Sequence, residues 1–281
     1  MFRALVVAVA FALLVPAAPA AARRIVVVPG PGTPLQDGID AAGPGDTVRV
    51  GDGTYAESIT IDKPLRLYGK KAVIDAGCGV LAAVKIAADA VHIRSFTVRG
   101  GNFYGVDMSA RDLTIIERVT VVPTCVGVEY GINVFQGTRM RIRNNRIEDP
   151  NGFGDAAIYI GGTPANADLR VERNVLTGPN ARGIIVEDSL DLPAKPVAVR
   201  VRKNVITGAG VGIWVFGSEG AEILTNVVTA TTQAGIEMTA NSNGNFISGN
   251  RLSGNNPDVL DSGTGNCWRH NFFATGTVPP C

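Results

Sequence analysis

MRIRNNRI (Met140–Ile147), LRVERNVL (Leu169–Leu176), VRVRKNVI (Val199–Ile206), AEILTNVV (Ala221–Val228), NFISGNRL (Asn245–Leu252) and CWRHNFF (Cys267–Phe273) are one phrase written six times. Its form is apolar-x-apolar-x-x-Asn-x-apolar, with the first and fifth positions the loosest. The asparagines, Asn145, Asn174, Asn204, Asn226, Asn250 and Asn271, are spaced by 29, 30, 22, 24 and 21 residues. A period close to one solenoid coil, carrying strand alternation rather than a helical repeat, predicts a β-coil stacked on copies of itself.

The recurring asparagine is expected in a turn. Its short polar side chain tolerates left-handed backbone, and its amide both donates and accepts, so identical residues one coil apart can hydrogen-bond along the axis. The ladder is read as structural, and losing the inner member Asn204 is expected to cost more than losing the terminal Asn271.

A second phrase, Gly-apolar-x-apolar, interleaves with the first. It starts at Gly105, Gly131, Gly183, Gly212 and Gly235, with Ala157 in place of glycine once and an earlier copy at Ala83. Alternation sends its flanking apolar residues inward and its middle residue outward, so it predicts a second long sheet.

Residues 1–22 read as an export signal: Arg3, an apolar run from Ala4 to Val15, then Pro16 and small residues. The run is shorter than the roughly twenty residues that span a bilayer, so no transmembrane anchor is expected after cleavage. Removing Arg3 leaves 25 basic against 25 acidic residues, with no basic cluster, which argues against a nucleic-acid partner. Four cysteines beyond the signal suit an oxidising compartment, secreted or periplasmic, and their spacing is not a zinc pattern. Cys267 and Cys281 are expected to pin the tail. Cys78 and Cys125 are the remaining pair, two coils apart, and need their loops to bring them together.

Residues 23–71 read as a cap with the first strands, and 72–281 as the coils. In the cap, Thr33-Pro34-Leu35 is expected to start a short helix that puts Leu35, Ile39 and Ala42 on one face and ends at Gly43-Pro44-Gly45. Thr47–Val50, Glu57–Ile61 and Leu65–Leu67 follow as strands. The stretch LQDGIDAAGPGDTVRVGDGTYAESITIDKPLRLYGK (Leu35–Lys70) resembles the opening segment of the pectin-lyase-like superfamily, in particular its NosD-type members. That resemblance implies a right-handed parallel β-helix across the mature chain. It does not imply one activity, because the superfamily hosts lyases, esterases, hydrolases, epimerases and noncatalytic proteins.

The superfamily's catalytic motifs are mostly missing. Polygalacturonase-like Asp-Asp with Gly-His-Gly and pectate-lyase-like Trp-Ile-Asp-His are absent, and Asp149-Pro150-Asn151 shares only two residues with the epimerase Asp-Pro-His-Asp. Gly152 to Gly161 is loosely similar to the methylesterase strand that carries a nucleophilic Asp, here Asp155. A NosD-like copper role would rest on His92 and His270 alone, with no Met or Cys cluster as soft ligands.

The outward face of the glycine-phrase sheet therefore carries the candidate site. One column reads Lys85, Asp107, Asn133, Tyr159, Ile185, Trp214 and Glu237, and a second Ser109, Phe135, Gly161, Glu187, Phe216 and Thr239. Rings beside carboxylates and amides suit a sugar chain, whose flat apolar faces stack while its hydroxyls take polar groups. The competing reading is that loops bury these rings. Glu129 and Asp155 occupy matching places on adjacent coils and could act as an acid/base pair or take a calcium ion, against the plainer reading of two solvated loop carboxylates. Tyr159 and Arg182 are candidate neighbours for proton transfer and for neutralising a substrate carboxylate. No cofactor or other metal is implied, and the oligomeric state is not legible. Three classes stay open: a polysaccharide-binding protein, a lyase, epimerase or hydrolase on a uronate-containing glycan, and a noncatalytic accessory or structural protein.

Overall fold

The computed structural model describes residues 24–27, 34–149, 152–162, 167–187, 199–279 and 281. The expected export signal, Thr33 and the Pro150-Asn151 pair lie outside them. The chain forms a right-handed parallel β-helix with one short helix, α1 (Leu35–Ala41), at its start.

Each coil offers one strand to each of three faces. Leu169–Glu172 lies on the first face, Val175–Thr177 on the second and Arg182–Glu187 on the third, and the next coil repeats them as Val199–Arg202, Val205–Thr207 and Val211–Phe216. The third face is a separate sheet of nine strands, from Ile59–Ile61 to Val259–Asp261. The first and second faces join into one sheet because the long strands Arg66–Asp75 and His92–Arg99 run through both.

Register follows from the apolar alternation. Ile142, Val171, Val201, Ile223 and Ile247 pair in sequence on the first face, and Ile132, Ile158, Ile184, Ile213 and Ile236 on the third. All are buried. A slip of one residue would turn every one of these side chains to solvent, so burial locks each coil onto the last.

The asparagine ladder runs unbroken. Each side-chain Nδ2 donates to the next Oδ1, from Asn145 through Asn174, Asn204, Asn226 and Asn250 to Asn271, at 2.9–3.0 Å. Left-handed backbone, however, belongs to the residue before each asparagine: Asn144, Arg173, Lys203, Thr225, Gly249 and His270 have φ between 52° and 68°. The asparagine closes the turn rather than making it. Its Oδ1 also takes the backbone N–H of the asparagine one coil earlier, and its Nδ2 reaches a first-face carbonyl, such as Val171 O from Asn204. A shorter second stack, Asn245 on Asn266 at 3.0 Å, closes the other corner of the last coils.

The glycine of the second phrase has a packing cause at Gly131. A Cβ there would lie 2.6 Å from the Ala157 carbonyl and 3.0 Å from the Phe153 ring. At Gly131 a side chain would therefore strike the coil beside it.

Helix α1 buries Leu35 and Ile39 over the end of the solenoid. Its start differs from the expected Thr33 cap: the N-cap is Pro34, and the Glu57 carboxylate accepts the free N–H groups of Leu35 at 2.5 Å and Gln36 at 3.0 Å. Gln36 then pairs with both backbone groups of Thr60, covering the exposed edge of the first third-face strand. Both disulfides form, Cys78–Cys125 and Cys267–Cys281, with Cα separations of 5.5 and 4.5 Å. The first spans an intervening coil whose corner is Gly100-Gly101, where a Cβ on Gly100 would come 2.5 Å from the Gly77 carbonyl. With no side chain in the way, the two flanking turns meet.

Candidate functional site

The third face places Lys85, Asp107, Asn133, Tyr159, Ile185, Trp214 and Glu237 in one register column, and Ser109, Phe135, Gly161, Glu187 and Phe216 in the next. They do not form one uniform groove. Lys85 is exposed, whereas Asn133 is 4% exposed and donates to Asp107 Oδ1 at 2.7 Å, so that pair is spent on itself. Ile185 is fully buried, outside the main core, between the rungs of Tyr159 and Trp214.

The dense part of the face centres on Asp155. One carboxylate oxygen accepts the Tyr130 hydroxyl at 2.8 Å, and the other is ion-paired with Arg182. The Arg182 guanidinium also lies 4.2 Å over the Trp214 ring, which packs on Phe216 at 4.9 Å. Arg182 thus bridges three coils, with its charge shared between a carboxylate and an aromatic face. A cleft of about 280 Å³ opens beside it, lined also by Asn180, Gly210, Thr232 and Gln233.

Glu129 and Asp155 do sit on matching places, since the N–H groups of Asp155 and Ala156 both donate to the Glu129 carbonyl. Glu129 leans over Gly154, where a Cβ would come 2.5 Å from its Oε2, while both oxygens of Asp155 are engaged elsewhere. The carboxyl that feels Asp155 is Glu187: burial raises its pKa, the Asp155 charge adds to that, and the Tyr159 hydrogen bond and Arg182 oppose it. Among the described residues no group of three or more His, Cys, Asp or Glu gathers in metal-holding positions.

Residues 105–277 match the family described as periplasmic copper-binding protein (NosD). The chain belongs to the NosD family. No curated protein matches this NosD-family chain. Among solved structures it is similar to pectate lyase Pel9A at 12% identity, covering 87% of this chain and 77% of that one with a TM-score of 0.59. An alginate lyase from Paenibacillus sp. str. FPU-7 is similar at 16% identity, covering 89% and 98% with a TM-score of 0.47. The pectin methylesterase from Aspergillus niger is similar at 13% identity, covering 93% of each chain with a TM-score of 0.46. At 12% identity the likeness to the pectate lyase is one of fold.

The NosD-family chain also carries aromatic residues outside the two columns. Phe103, Tyr104 and Tyr130 form a ring cluster that reaches Tyr159, with Tyr104 and Tyr130 stacked at 5.8 Å and Tyr130 to Tyr159 at 4.9 Å. Tyr104 and Tyr130 each precede a phrase glycine, three residues before the first column. The shared Tyr-Gly in FYGVDM and EYGINV was the signal. Burial, then hydrogen bonding to Asp155, holds the Tyr130 phenol far above its ordinary range, and burial with Glu187 does the same to Tyr159. Both are therefore protonated donors at neutral pH.

The raised Glu187 pKa has a direction in stability. A carboxyl with a folded pKa above its unfolded value favours the native state fully below the unfolded carboxyl range, and that contribution is lost as pH rises through the folded pKa. Glu187→Gln should therefore match the parent in urea midpoint near pH 4 and exceed it at pH 7.5. A variant that is no more stable than the parent at pH 7.5 would show that Glu187 is well accommodated as an anion.

Proposed function

We propose that this NosD-family protein is exported and engages an extracellular or envelope polysaccharide along its third face. The observation that carries this reading is the run of partly exposed rings on successive coils, Tyr104, Tyr130, Tyr159, then Trp214 and Phe216, in a chain with only 10 Phe, 5 Tyr and 2 Trp. At about 4.8 Å per coil, Tyr104 to Trp214 covers roughly 19 Å, the length of a short oligosaccharide. The charged groups lie along the same strip, with Arg182 and Lys85 to meet a uronate carboxylate and Glu237 to take hydroxyls. The two disulfides fit the oxidising compartment that export implies.

Trp214→Ala is the test of binding. The change removes the ring and leaves Arg182 without its platform, so affinity for the glycan should fall by roughly 1 to 3 kcal/mol. Because the ring is partly exposed, thermal unfolding should move little. A glycan array supplies the ligand, and it should be read for product as well as retention. Unchanged affinity in Trp214→Ala, combined with a large loss of stability, would make the ring a packing residue and remove the groove's anchor.

Turnover is the second reading, favoured by the electrostatics around Asp155. A half-buried Glu187 whose pKa is raised by burial, beside an Arg182-paired Asp155 and two phenolic donors, pairs a carboxyl shifted toward its acid form with an anion. In that case Glu187→Gln should retain glycan and release no unsaturated or shortened product, whereas a binding protein releases none even with Glu187 intact.

Copper fits this chain poorly. All four cysteines are oxidised, Met108, Met140 and Met238 are buried in the core, and His92 is held between Tyr68 and Glu117 at 3.2 Å each. Among the described residues the soft ligands are thus withdrawn from the surface.

A further inference from the structure

Away from the third face, the first face opens into a cleft of about 420 Å³ near the N-terminal end, lined by Arg49, Gly51, Tyr68, Lys70, Arg94 and Ser95 among others. A bulge creates it. Tyr68 pairs with Arg94 and Ala72 with Phe96, so three residues, Gly69, Lys70 and Lys71, stand opposite the single Ser95. Both Lys71 and Ser95 take left-handed backbone, with φ of 53° and 63°, and a Cβ on Gly69 would come 2.5 Å from the Ser95 carbonyl. Left-handed Ser95 aligns with Arg118 and Asn144 at the ordinary corner between the first and second faces, so the two extra residues of the Gly69–Lys71 segment are what sets this coil apart.

Three cations surround the opening. Arg49, Tyr68 and Arg94 form one register column, which puts the two guanidinium-bearing rungs about 10 Å apart. Lys70 leaves from the bulge between them. The acid nearest to them in the column is Glu117, 3.5 Å from Arg94 Nε, but Arg143 already holds it at 2.7 Å and His92 at 3.2 Å. Among the described residues Arg49 and Lys70 have no carboxylate within ion-pair distance, so the cleft carries uncompensated positive charge on a chain that is otherwise balanced.

We infer that this cleft is a second ligand site, one for an oxyanion carried on a sugar-sized molecule, separate from the third-face groove. Its volume lies in the range of about 300–1,000 Å³ typical of small-ligand sites. Arginine forks suit a carboxylate, sulfate or phosphate ester, which all present paired oxygens at the spacing of guanidinium N–H groups. Tyr68, edge-on to His92 at 5.2 Å, supplies the apolar wall.

Calorimetric titration of the whole protein at low salt with sulfate, inorganic phosphate and tri-galacturonate, and with cellotriose as the uncharged control, tests the site. At least one anion should bind saturably, and its identity tells an ester site from a carboxylate site. The double variant Arg49→Gln, Lys70→Gln should weaken that binding at least tenfold and flatten its salt dependence, with melting temperature unchanged because both side chains are exposed. Trp214→Ala should leave sulfate and phosphate binding intact, since neither ion has an apolar face to stack on the third-face rings. Failure of all three anions to saturate, or equal affinity in the parent and the double variant, would overturn the assignment. Anion binding lost in Trp214→Ala and kept in the double variant would move the charge recognition to the third face and overturn it equally.

Discussion

Replacing Cys78 and Cys125 together with serine is expected to lower the unfolding free energy by about 4 kcal/mol, the chain-entropy value for closing a loop of nearly fifty residues. The physical reason lies in how a solenoid is built. Each coil touches only its neighbours, so a cross-link that skips a coil ties together three rungs which would otherwise open one at a time. The loss should therefore be local as well as large. Hydrogen exchange in the double-serine protein should show the strands Arg66–Asp75, His92–Arg99 and Thr120–Val122 losing protection before the C-terminal coils do. Coincident urea transitions for the oxidised and double-serine proteins would mean that this segment is already compact in the unfolded ensemble. Cys267–Cys281 closes a loop of only about fifteen residues and is worth roughly 3 kcal/mol on the same scale, acting on the tail alone.

The second large effect belongs to the ladder. Asn204→Ala should cost about 3 to 4 kcal/mol, because the amide stands at the centre of four bonds. Its Oδ1 accepts the backbone N–H and the Nδ2 of Asn174 at 2.9 and 3.0 Å, and its Nδ2 donates to Asn226 Oδ1 and the Val171 carbonyl at 3.0 and 2.9 Å. Asn174, Asn204 and Asn226 are all 0% exposed, so water cannot replace what alanine removes. Two donors are orphaned on one side, while on the other the Asn226 Oδ1 keeps only the backbone N–H of residue 204. Asn271 ends the stack, where its Nδ2 reaches only the Ile247 carbonyl and its surroundings are partly exposed. The same substitution there should cost about 1 kcal/mol. Equal and small losses at the two positions, read as urea midpoints with unchanged slope, would defeat the idea that the stack carries the corner.

How far the chain could be read before its structure depends on the range of the interaction concerned. Strand positions, the parallel stacking and the outward column from Lys85 to Glu237 follow from a period of two nested in a period of one coil, and every coil repeats the constraint. Thr47–Val50 is a strand with the bounds the alternation assigns to it. The corner was only half legible. The Asn signal marked its place, but the left-handed residue is its predecessor, a position filled by Asn, Arg, Lys, Thr, Gly and His in turn, with no shared chemistry to reveal it. Helix α1 was legible from Leu35 and Ile39, but its cap was not, because Glu57 lies about twenty residues away.

The amino-acid sequence by itself determined the solenoid, its register, its two interleaved strand phrases and the outward columns of the glycine-phrase sheet, since these rest on periodic burial that repeats with every coil. Only the tertiary structure decided which neighbours in those columns pair. Arg182 reaches back to Asp155 and forward over Trp214, Asn133 turns to Asp107, and Glu187 meets Tyr159. The cationic cleft was likewise invisible, because it arises where Gly69, Lys70 and Lys71 break the alternation against Ser95. Long side chains on stacked rungs about 4.8 Å apart have several partners within reach, and the choice among them is made by packing and desolvation that no spacing along the chain records.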